Sequence, residues 1–218
     1  MPTGSAPTPF TKVHRLPDRA AYDRGAVHAV LDAAPIAHVG LVRDARPVVI
    51  PLLFGRLDDA LYLHGSVAGG VLRDGGAGVE LCVTTTVVDG LVFARSAFHH
   101  SMNYRSAVVI GRARAVDGDE KLAGLRAIAE HLTPGRWDES RPPNPVELAK
   151  TAVLRLGLDE ASTKCRAAGP VDDDEDLELA VWAGVVPVVV GYGAPIDAEN
   201  LAPGIDLSPA VTALVTDG

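Results

Sequence analysis

The chain has 218 residues, 47% of them hydrophobic and 22% charged, and its formal net charge is -8 at pH 7. This size and composition predict one globular domain, and the negative charge argues against nucleic acid as a partner, because that affinity comes from clustered Lys and Arg. The longest apolar run, residues 179–190, is shorter than the roughly 20 residues that cross a bilayer, so we predict no membrane partner.

The first residues and the two cysteines bear on location and metal binding. Residues 1–9 are rich in Pro and Thr and lack the pattern of a secretory signal, so we expect a disordered tail over residues 1–15. Cys82 and Cys165 form no CxxC pair, which argues against a thiolate metal site. A cytoplasmic protein without a bound metal is the expectation.

A helix and then strands are predicted for the first part of the chain. Asp18 is a candidate N-cap for an amphipathic helix that ends at Pro35. Alternating β-branched residues predict strands over 36–42, 48–54 and 61–64, and the turn residues between them favour an antiparallel meander.

The middle of the chain contains a strong hairpin signal. Asp89-Gly90 lies between predicted strands 79–87 and 91–94 and favours a tight turn there. A further strand is predicted over 105–116. A helix then begins at Asp119, and the apolar residues expected on its buried face are Leu122, Leu125, Ala129 and Leu132.

Three more strands, over 151–158, 162–168 and 179–190, are predicted after a Pro-rich irregular segment at 133–145. The chain is therefore predicted to be mainly β, an antiparallel sheet of six or more strands with peripheral helices, in a barrel or roll. We expect the folded domain to cover residues 16–195 and a C-terminal extension to cover residues 196–218.

A Gly-rich turn is predicted after the strand that ends at His64. Gly65 and Ser66 lie where a strand enters a short helix, and backbone amides, a hydroxyl and a helix N-terminus at one point can bind a phosphate. A turn that needs glycines for positive φ is the alternative, and this pattern alone leaves both open.

Polar side chains cluster just before the strand at 105–116. They are costly to desolvate unless a polar ligand meets them, so they are candidates for binding; a polar loop at the end of a barrel is the alternative. Adjacent strand residues point to opposite faces, which disfavours a metal site at His99 and His100. The candidate binding residues are Asn103, Tyr104, Arg105 and Ser106.

Other candidate features lie in the last third of the chain. Alternation places Lys164 and Arg166 on one strand face, where they suit an anionic ligand. Trp182 is a candidate for stacking on a flat ring or for the core. The acidic run at 172–176 lacks the spacing of a calcium loop and is interpreted as a solvated loop.

No hydrolase, zinc-protease, P-loop or Rossmann signature occurs, which favours a cofactor that carries the chemistry itself. Five blocks of this sequence, in order, resemble the FMN-binding split-barrel proteins related to pyridoxamine 5'-phosphate oxidase, in particular the flavin-nucleotide-binding branch that includes nitroimidazole-resistance proteins. The blocks are residues 34–40, 49–52, 61–66, 99–112 and 182–187.

The resemblance implies a six-stranded antiparallel split barrel and a homodimer with FMN at the subunit interface. It places Val49, Ile50, Pro51 and Leu52 along the flavin ring. It places His64, Gly65 and Ser66 near the phosphate, with Asn103, Tyr104, Arg105 and Ser106 around the ribityl chain and phosphate, and Trp182 of the partner subunit over the ring. Lys164 is a further candidate for the phosphate.

One departure from the family pattern concerns the phosphate. Relatives commonly place a Ser and then a cationic residue after the turn, whereas this chain has Gly69 and Gly70, so Arg73, Arg105 or Lys164 would have to substitute.

The leading hypothesis is an FMN-dependent oxidoreductase that reduces a small nitroaromatic or quinone-like acceptor. The alternative is a non-catalytic flavin- or haem-binding protein with His99 or His100 as the haem ligand.

Overall fold

The computed structural model describes residues 6–67 and 78–217 of the chain. The predicted mainly β class is confirmed. Ten strands in these described residues form one connected antiparallel sheet: β1 (Ala20–Ala21), β2 (Ala37–Arg43), β3 (Arg46–Leu52), β4 (Phe54–Leu57), β5 (Ala60–Ser66), β6 (Val79–Phe93), β7 (Ser101–Ala115), β8 (Thr151–Gly157), β9 (Ala161–Arg166) and β10 (Gly184–Pro187). The helices are α1 (Arg24–Ala33), α2 (Gly118–Leu132), α3 (Pro145–Lys150) and α4 (Pro209–Asp217).

The two longest strands, β6 and β7, form the central ladder, which runs from the pair Val79 and Ala113 to the pair Val92 and Ser101. The strand order across the sheet is β3-β2-β6-β7-β8-β5-β4. The sheet divides at β7, because its residues 104–109 pair with β9 and its last two residues pair with β8. β3 and β4 are consecutive in the chain but lie at opposite ends of this order, so the predicted meander is wrong.

The predicted hairpin at Asp89-Gly90 is also wrong. β6 continues through both residues, and only a register shift between Val88 and Gly90 marks the position. Gly90 pairs with Asn103 of β7 on one side and with Pro187 of β10 on the other. Pairing on both edges favours an extended backbone, and this tertiary contribution outweighs the local turn propensity.

The core lies between α1 and the inward face of the sheet. Inward positions alternate along the strands, with the intervening residues on the other face. Helix α1 begins at Arg24, and its N-cap is Asp23 rather than the predicted Asp18. Asp23 accepts a hydrogen bond from the Ala26 amide at 2.9 Å. Fully buried core residues include Val27, Leu31, Val39, Leu63, Val83, Val109, Leu154 and Leu156.

Glycines bring α2 close to β4 and β5. A Cβ on Gly55 would lie 2.3 Å from the carbonyl carbon of Ala127, and a Cβ on Gly124 would lie 2.5 Å from a ring carbon of Tyr62. The buried face of α2 is therefore centred on Gly124 and Ile128. This corrects the predicted face, since Leu122 and Leu132 are exposed.

The two ends of the chain differ in part from the predicted elements. Within the predicted tail, the Lys12 amide donates to the Thr8 carbonyl at 2.9 Å, and the Val13 amide donates to the Tyr22 hydroxyl at 2.9 Å. Of the strand predicted over 179–190, only Gly184–Pro187 pairs with the sheet.

No helix among the described residues is both long and apolar enough to span a membrane. The domain limits stay a prediction.

Candidate functional site

Three of the predicted binding residues share one face where β7 meets β9. Ser106 lies opposite Lys164, and Tyr104 lies opposite Arg166. Partners in an antiparallel ladder and residues two apart project to the same face of a sheet. The Ser106 hydroxyl donates to the Lys164 carbonyl at 3.1 Å, and the Lys164 ammonium donates to the carbonyl of Arg15 at 2.9 Å. This face therefore presents an ammonium group whose hydrogen-bond partner is a neutral carbonyl.

Arg105 lies on the opposite face, in the inward row that includes Ala107. Its Nη2 is 2.7 Å from Oδ1 of Asp89, and its Nε is 3.0 Å from Oδ2. The hydrogen bond from Arg105 lowers the pKa of Asp89, and the same bond raises the pKa of Arg105. The guanidinium charge is therefore balanced within the chain, and Arg105 does not share a face with Lys164.

Asn103 has a structural partner in this chain. Its Oδ1 accepts hydrogen bonds from Nη1 of Arg166 and from the Ala168 amide. Arg166 also donates to the carbonyls of Ala168 and Gly169, at 2.8 and 2.7 Å. It is 6% exposed, and burial lowers the pKa of its guanidinium. The oxygens that hold this buried cation in the described part of the chain are neutral, so the electrostatic potential nearby is positive.

The residues predicted to run along the flavin ring form the edge strand β3. Val49 is 62% exposed, and Val49 and Pro51 project away from the core, while Ile50 and Leu52 are half-buried. Val49 lies opposite Gly40, and Pro51 lies opposite His38, on β2. The other edge of β3 has no paired strand among the described residues, so its backbone groups can accept a ligand.

His64 lines a cavity of about 490 Å³ between β5, α2 and α3. Most of the wall is apolar. The Nδ1 atom of His64 is buried and has no hydrogen-bond partner within residues 6–67 and 78–217, and burial lowers the pKa of the imidazole. Besides His64, the polar residues that line the cavity are Ser140, Arg141, Glu147 and Thr151. The apolar wall includes residues that were not predicted as binding residues from the sequence: Leu53, Leu125, Ile128, Ala129, Leu132, Trp137 and Leu148.

Within one chain, His64 and the Asn103–Ser106 segment lie in different places. His64 pairs with Val153 on β8, and β8 meets β7 only at Arg114 and Ala115. Ser106 precedes Ala115 by nine residues on β7, which corresponds to about 30 Å along the strand. One chain therefore does not form the single phosphate site predicted from both segments. Gly69, Gly70 and Arg73 lie outside the described residues.

A smaller cavity of about 410 Å³ lies beside Trp182. The Trp182 ring is 6.1 Å from that of Phe93, and the residue is 63% exposed in the single chain. His100 is 5.5 Å from Phe93 between ring centres, and its Nδ1 accepts a hydrogen bond from the Ala94 amide at 3.2 Å. Trp182 is thus free to cover a ligand, and the core interpretation is not supported.

The acidic run 172–176 holds the loop before β7 in place. Asp172 accepts hydrogen bonds from the backbone amide and Nη1 of Arg95, at 2.6 and 2.7 Å. The bond from the amide lowers the pKa of Asp172. Asp173 lies 3.1 Å from Nε2 of His99. The interpretation as a solvated loop is therefore wrong at Asp172, whose side chain is 4% exposed.

Comparison with known proteins bears on the family. The family model described as pyridoxamine 5'-phosphate oxidase matches residues 23–165 of this chain. The chain belongs to the pyridoxamine 5'-phosphate oxidase family. No curated protein matches it.

Two solved structures are similar to nearly the whole of this family member. The flavocytochrome Anf3 from Azotobacter vinelandii has 36% identity and a TM-score of 0.88, and the match covers 96% of this chain and 98% of that one. The FAD and haem binding protein from Mycobacterium smegmatis has 39% identity and a TM-score of 0.86, with 90% and 97% covered.

A 5-nitroimidazole antibiotic resistance protein from Bacteroides thetaiotaomicron is more distant, at 23% identity and a TM-score of 0.55. That match covers 66% of this chain and 85% of the other. At this identity the similarity supports the fold alone. The predicted membership of the pyridoxamine 5'-phosphate oxidase family and the split-barrel fold are confirmed.

Proposed function

We propose that this chain is a redox protein that binds a flavin nucleotide and a haem. The observation that carries the haem proposal is His64, a half-buried histidine that lines a largely apolar cavity and whose Nδ1 atom has no hydrogen-bond partner among the described residues. Histidine is a common haem ligand, and ligand cavities are mostly apolar with a few polar groups. The two relatives at 36% and 39% identity, described as a flavocytochrome and as a FAD and haem binding protein, support it.

His64 suits a ligand role for reasons of protonation and access. Only a neutral imidazole can bind a metal ion, and the lowered pKa of His64 keeps the ring neutral at pH 7. The walls from α2, including Leu125 and Ile128, would exclude water from the ring system. Haem iron exchanges single electrons and a flavin exchanges electrons singly or in pairs, so the two groups together would couple a two-electron donor to a one-electron acceptor.

His64 replaces the ligand considered from the sequence. His99 lies beside Asp173, and His100 accepts a hydrogen bond from the Ala94 amide, so both imidazoles already have partners within the chain. The Nδ1 atom of His64 has none within the described residues. The structure therefore favours His64 over His99 and His100 for haem.

We place the flavin on the outward face of β3, β7 and β9. Lys164 and Ser106 would hold the phosphate, because Lys164 offers an ammonium group with no paired carboxylate among the described residues. Val49, Ile50, Pro51 and Leu52 would lie along the ring, with Tyr104 nearby, and Trp182 from a partner subunit in a homodimer would cover it. This site does not include His64, Gly65 and Ser66, because they lie on β5. It does not include Arg105, because that residue is paired with Asp89.

The nucleotide predicted from the sequence is FMN. The Mycobacterium relative is described as binding FAD, and the match covers 90% of this chain at 39% identity, which favours FAD here. The small nitroaromatic or quinone-like acceptor stays a prediction, as does the cytoplasmic location.

The purified protein tests the proposal directly. We expect a yellow to red protein with both flavin absorbance and a haem Soret band, each of which responds to a reductant. Mass spectrometry of the molecules released on denaturation identifies the nucleotide as FAD or FMN. A protein that is colourless and binds neither added flavin nor added haem would contradict the proposal.

A further inference from the structure

The wall of the cavity beside His64 contains an ion pair. Arg141 and Glu147 both line this cavity, and their side chains are 67% and 43% exposed. Nη1 of Arg141 donates to Oε2 of Glu147 at 2.9 Å, and Nη2 donates to Oε1. Two parallel hydrogen bonds are a common way for a guanidinium to bind a carboxylate. The pair therefore lies where the cavity opens to solvent.

The permanent charges of this wall come from the same two side chains. Among the described residues that line the cavity, Arg141 is the one Arg or Lys, and Glu147 is the one Asp or Glu. The two hydroxyl groups of the wall are already used as donors to backbone carbonyls, Ser140 at 3.0 Å and Thr151 at 2.9 Å. An anion that enters the cavity would therefore meet Arg141 as its cationic partner.

Glu147 is also held by the start of α3. Its Oε2 accepts a hydrogen bond from the Asn144 amide at 2.8 Å, and Oδ1 of Asn144 accepts from the amides of Val146 and Glu147. This arrangement is a capping box, in which Glu and Gln both serve at the position of Glu147. Glu147 thus keeps a partner when Arg141 is removed, whereas Arg141 has no second acidic partner among the described residues.

A haem in this cavity would bring carboxylates of its own. Its ring is largely apolar, but two propionate groups extend from one edge of the ring and are ionised at pH 7. With the iron at His64 and the ring against the apolar wall of α2, the propionates need water or a cation, because a charge buried without a partner is costly. The part of the wall that carries Arg141 offers both.

We propose that Arg141 binds a haem propionate and that Glu147 competes with this propionate for the guanidinium. Both groups are carboxylates that can accept two parallel hydrogen bonds from an arginine, so one can replace the other. The inference rests on the proposed haem function and extends it, because it orients the haem with its propionate edge toward α3. It also makes the free carboxylate a requirement for tight binding at this site.

Two neutral variants test the two halves of this proposal. Arg141→Gln removes the cation, so we expect the dissociation constant for haem to rise about three- to tenfold. Glu147→Gln removes the competing charge and keeps the capping box, so we expect it to bind haem more tightly than wild type. Titration of the haem-free protein with haem, followed at the Soret band, measures both. Wild-type affinity of Arg141→Gln would overturn the proposal.

Haem dimethyl ester separates an effect of charge from an effect of packing. Its propionates are esterified and carry no charge, whereas its iron and ring are those of haem. We expect wild type, Arg141→Gln and Glu147→Gln to bind this ester with equal affinity. If Arg141→Gln weakened the binding of haem and of the ester alike, Arg141 would only shape the wall, and the proposal would be wrong.

The matched control is the ion pair of Arg126 and Asp138, which does not line this cavity and has Nη2 2.7 Å from Oδ2. Arg126→Gln and Asp138→Asn should leave the affinity for haem unchanged.

Failure of the haem function itself would give a different result. Wild-type protein would then bind neither haem nor the ester, or His64→Ala would leave the Soret band unchanged. If the function holds, Arg141→Gln should keep the Soret maximum of histidine-ligated haem, because His64 still binds the iron, and only its dissociation constant should change.

Discussion

Arg105 and Asp89 form a salt bridge across β7 and β6, with Nη2 and Oδ1 2.7 Å apart. The pair lies at the register shift of β6 and balances the one arginine in the predicted phosphate-binding block. Lys164, on the other face of the sheet, donates to a backbone carbonyl instead. The resemblance placed Arg105 near the phosphate and left Lys164 as a further candidate. Because Arg105 is paired with Asp89, we propose Lys164 for the phosphate.

Lys164→Ala should therefore weaken flavin binding more than Arg105→Ala. Loss of a charge-assisted hydrogen bond to a phosphate costs about 1.5–3 kcal/mol, which we expect for Lys164→Ala. Fluorescence titration of the apoprotein with flavin measures both variants, and Lys12→Ala serves as a control for lost surface charge. The opposite order, with Arg105→Ala the more damaging, would place the phosphate on the other face.

The Arg105–Asp89 pair should stabilise the fold in a pH-dependent way. The folded-state pKa of Asp89 is lowered, so its contribution is present above the unfolded value of about 3.8 and is lost as the pH falls through the folded value. Both side chains are more than a third exposed, which limits the effect to about 1 kcal/mol or less. Urea unfolding should show Asp89→Asn less stable than wild type at pH 7 and equal to it in strong acid. Asp174→Asn, an exposed control, should match wild type at both.

The close approach of α2 to β4 makes Gly55 sensitive to a single methyl group. Gly55→Ala would put a Cβ 2.3 Å from the backbone of Ala127, so we expect a loss of about 1–3 kcal/mol or more in the free energy of unfolding. Gly193→Ala is the matched control, because no atom lies within 4 Å of a Cβ there. Thermal and urea unfolding measure both. Equal stability of the two variants would mean that α2 does not pack on β4 at this distance.

His64 should make the apoprotein less stable in mild acid. Burial lowers its folded-state pKa below 6.5, so the unfolded chain binds the proton first and stability falls as the pH drops from 6.5 toward the folded value. The variant His64→Gln lacks this pH-dependent contribution to the free energy of unfolding. Urea unfolding at pH 7.5 and pH 5 should show a smaller loss for His64→Gln than for wild type. The same loss in both would indicate that His64 is solvated in the folded protein.

Local patterns in the sequence predicted most of the strands and the peripheral helices. They failed where distant segments decide the conformation. Asp89-Gly90 has strong turn propensity, yet β7 and β10 pair with both edges of β6 there and keep it extended. The buried face of α2 was misplaced for a similar reason, because Gly55, a residue of another element, determines how closely the helix packs.

One geometric relationship at the candidate site was predicted from the sequence. The alternation that put Lys164 on a cationic face was informative, since β9 places Lys164 beside Ser106. The haem role proposed for His64 could not be predicted in this way, because its cavity is built by α2 and α3, whose packing a linear pattern does not specify. Likewise, the partner that Asp172 finds in Arg95 is 77 residues away in the chain.

A haem titration of wild-type protein and of His64→Ala tests the central claim most directly. We predict that wild-type protein gives a Soret band typical of histidine-ligated haem, that His64→Ala loses this band while it still binds flavin, and that the control His100→Ala keeps both. If His64→Ala bound haem with the wild-type spectrum and affinity, the cavity beside His64 would not be the haem site.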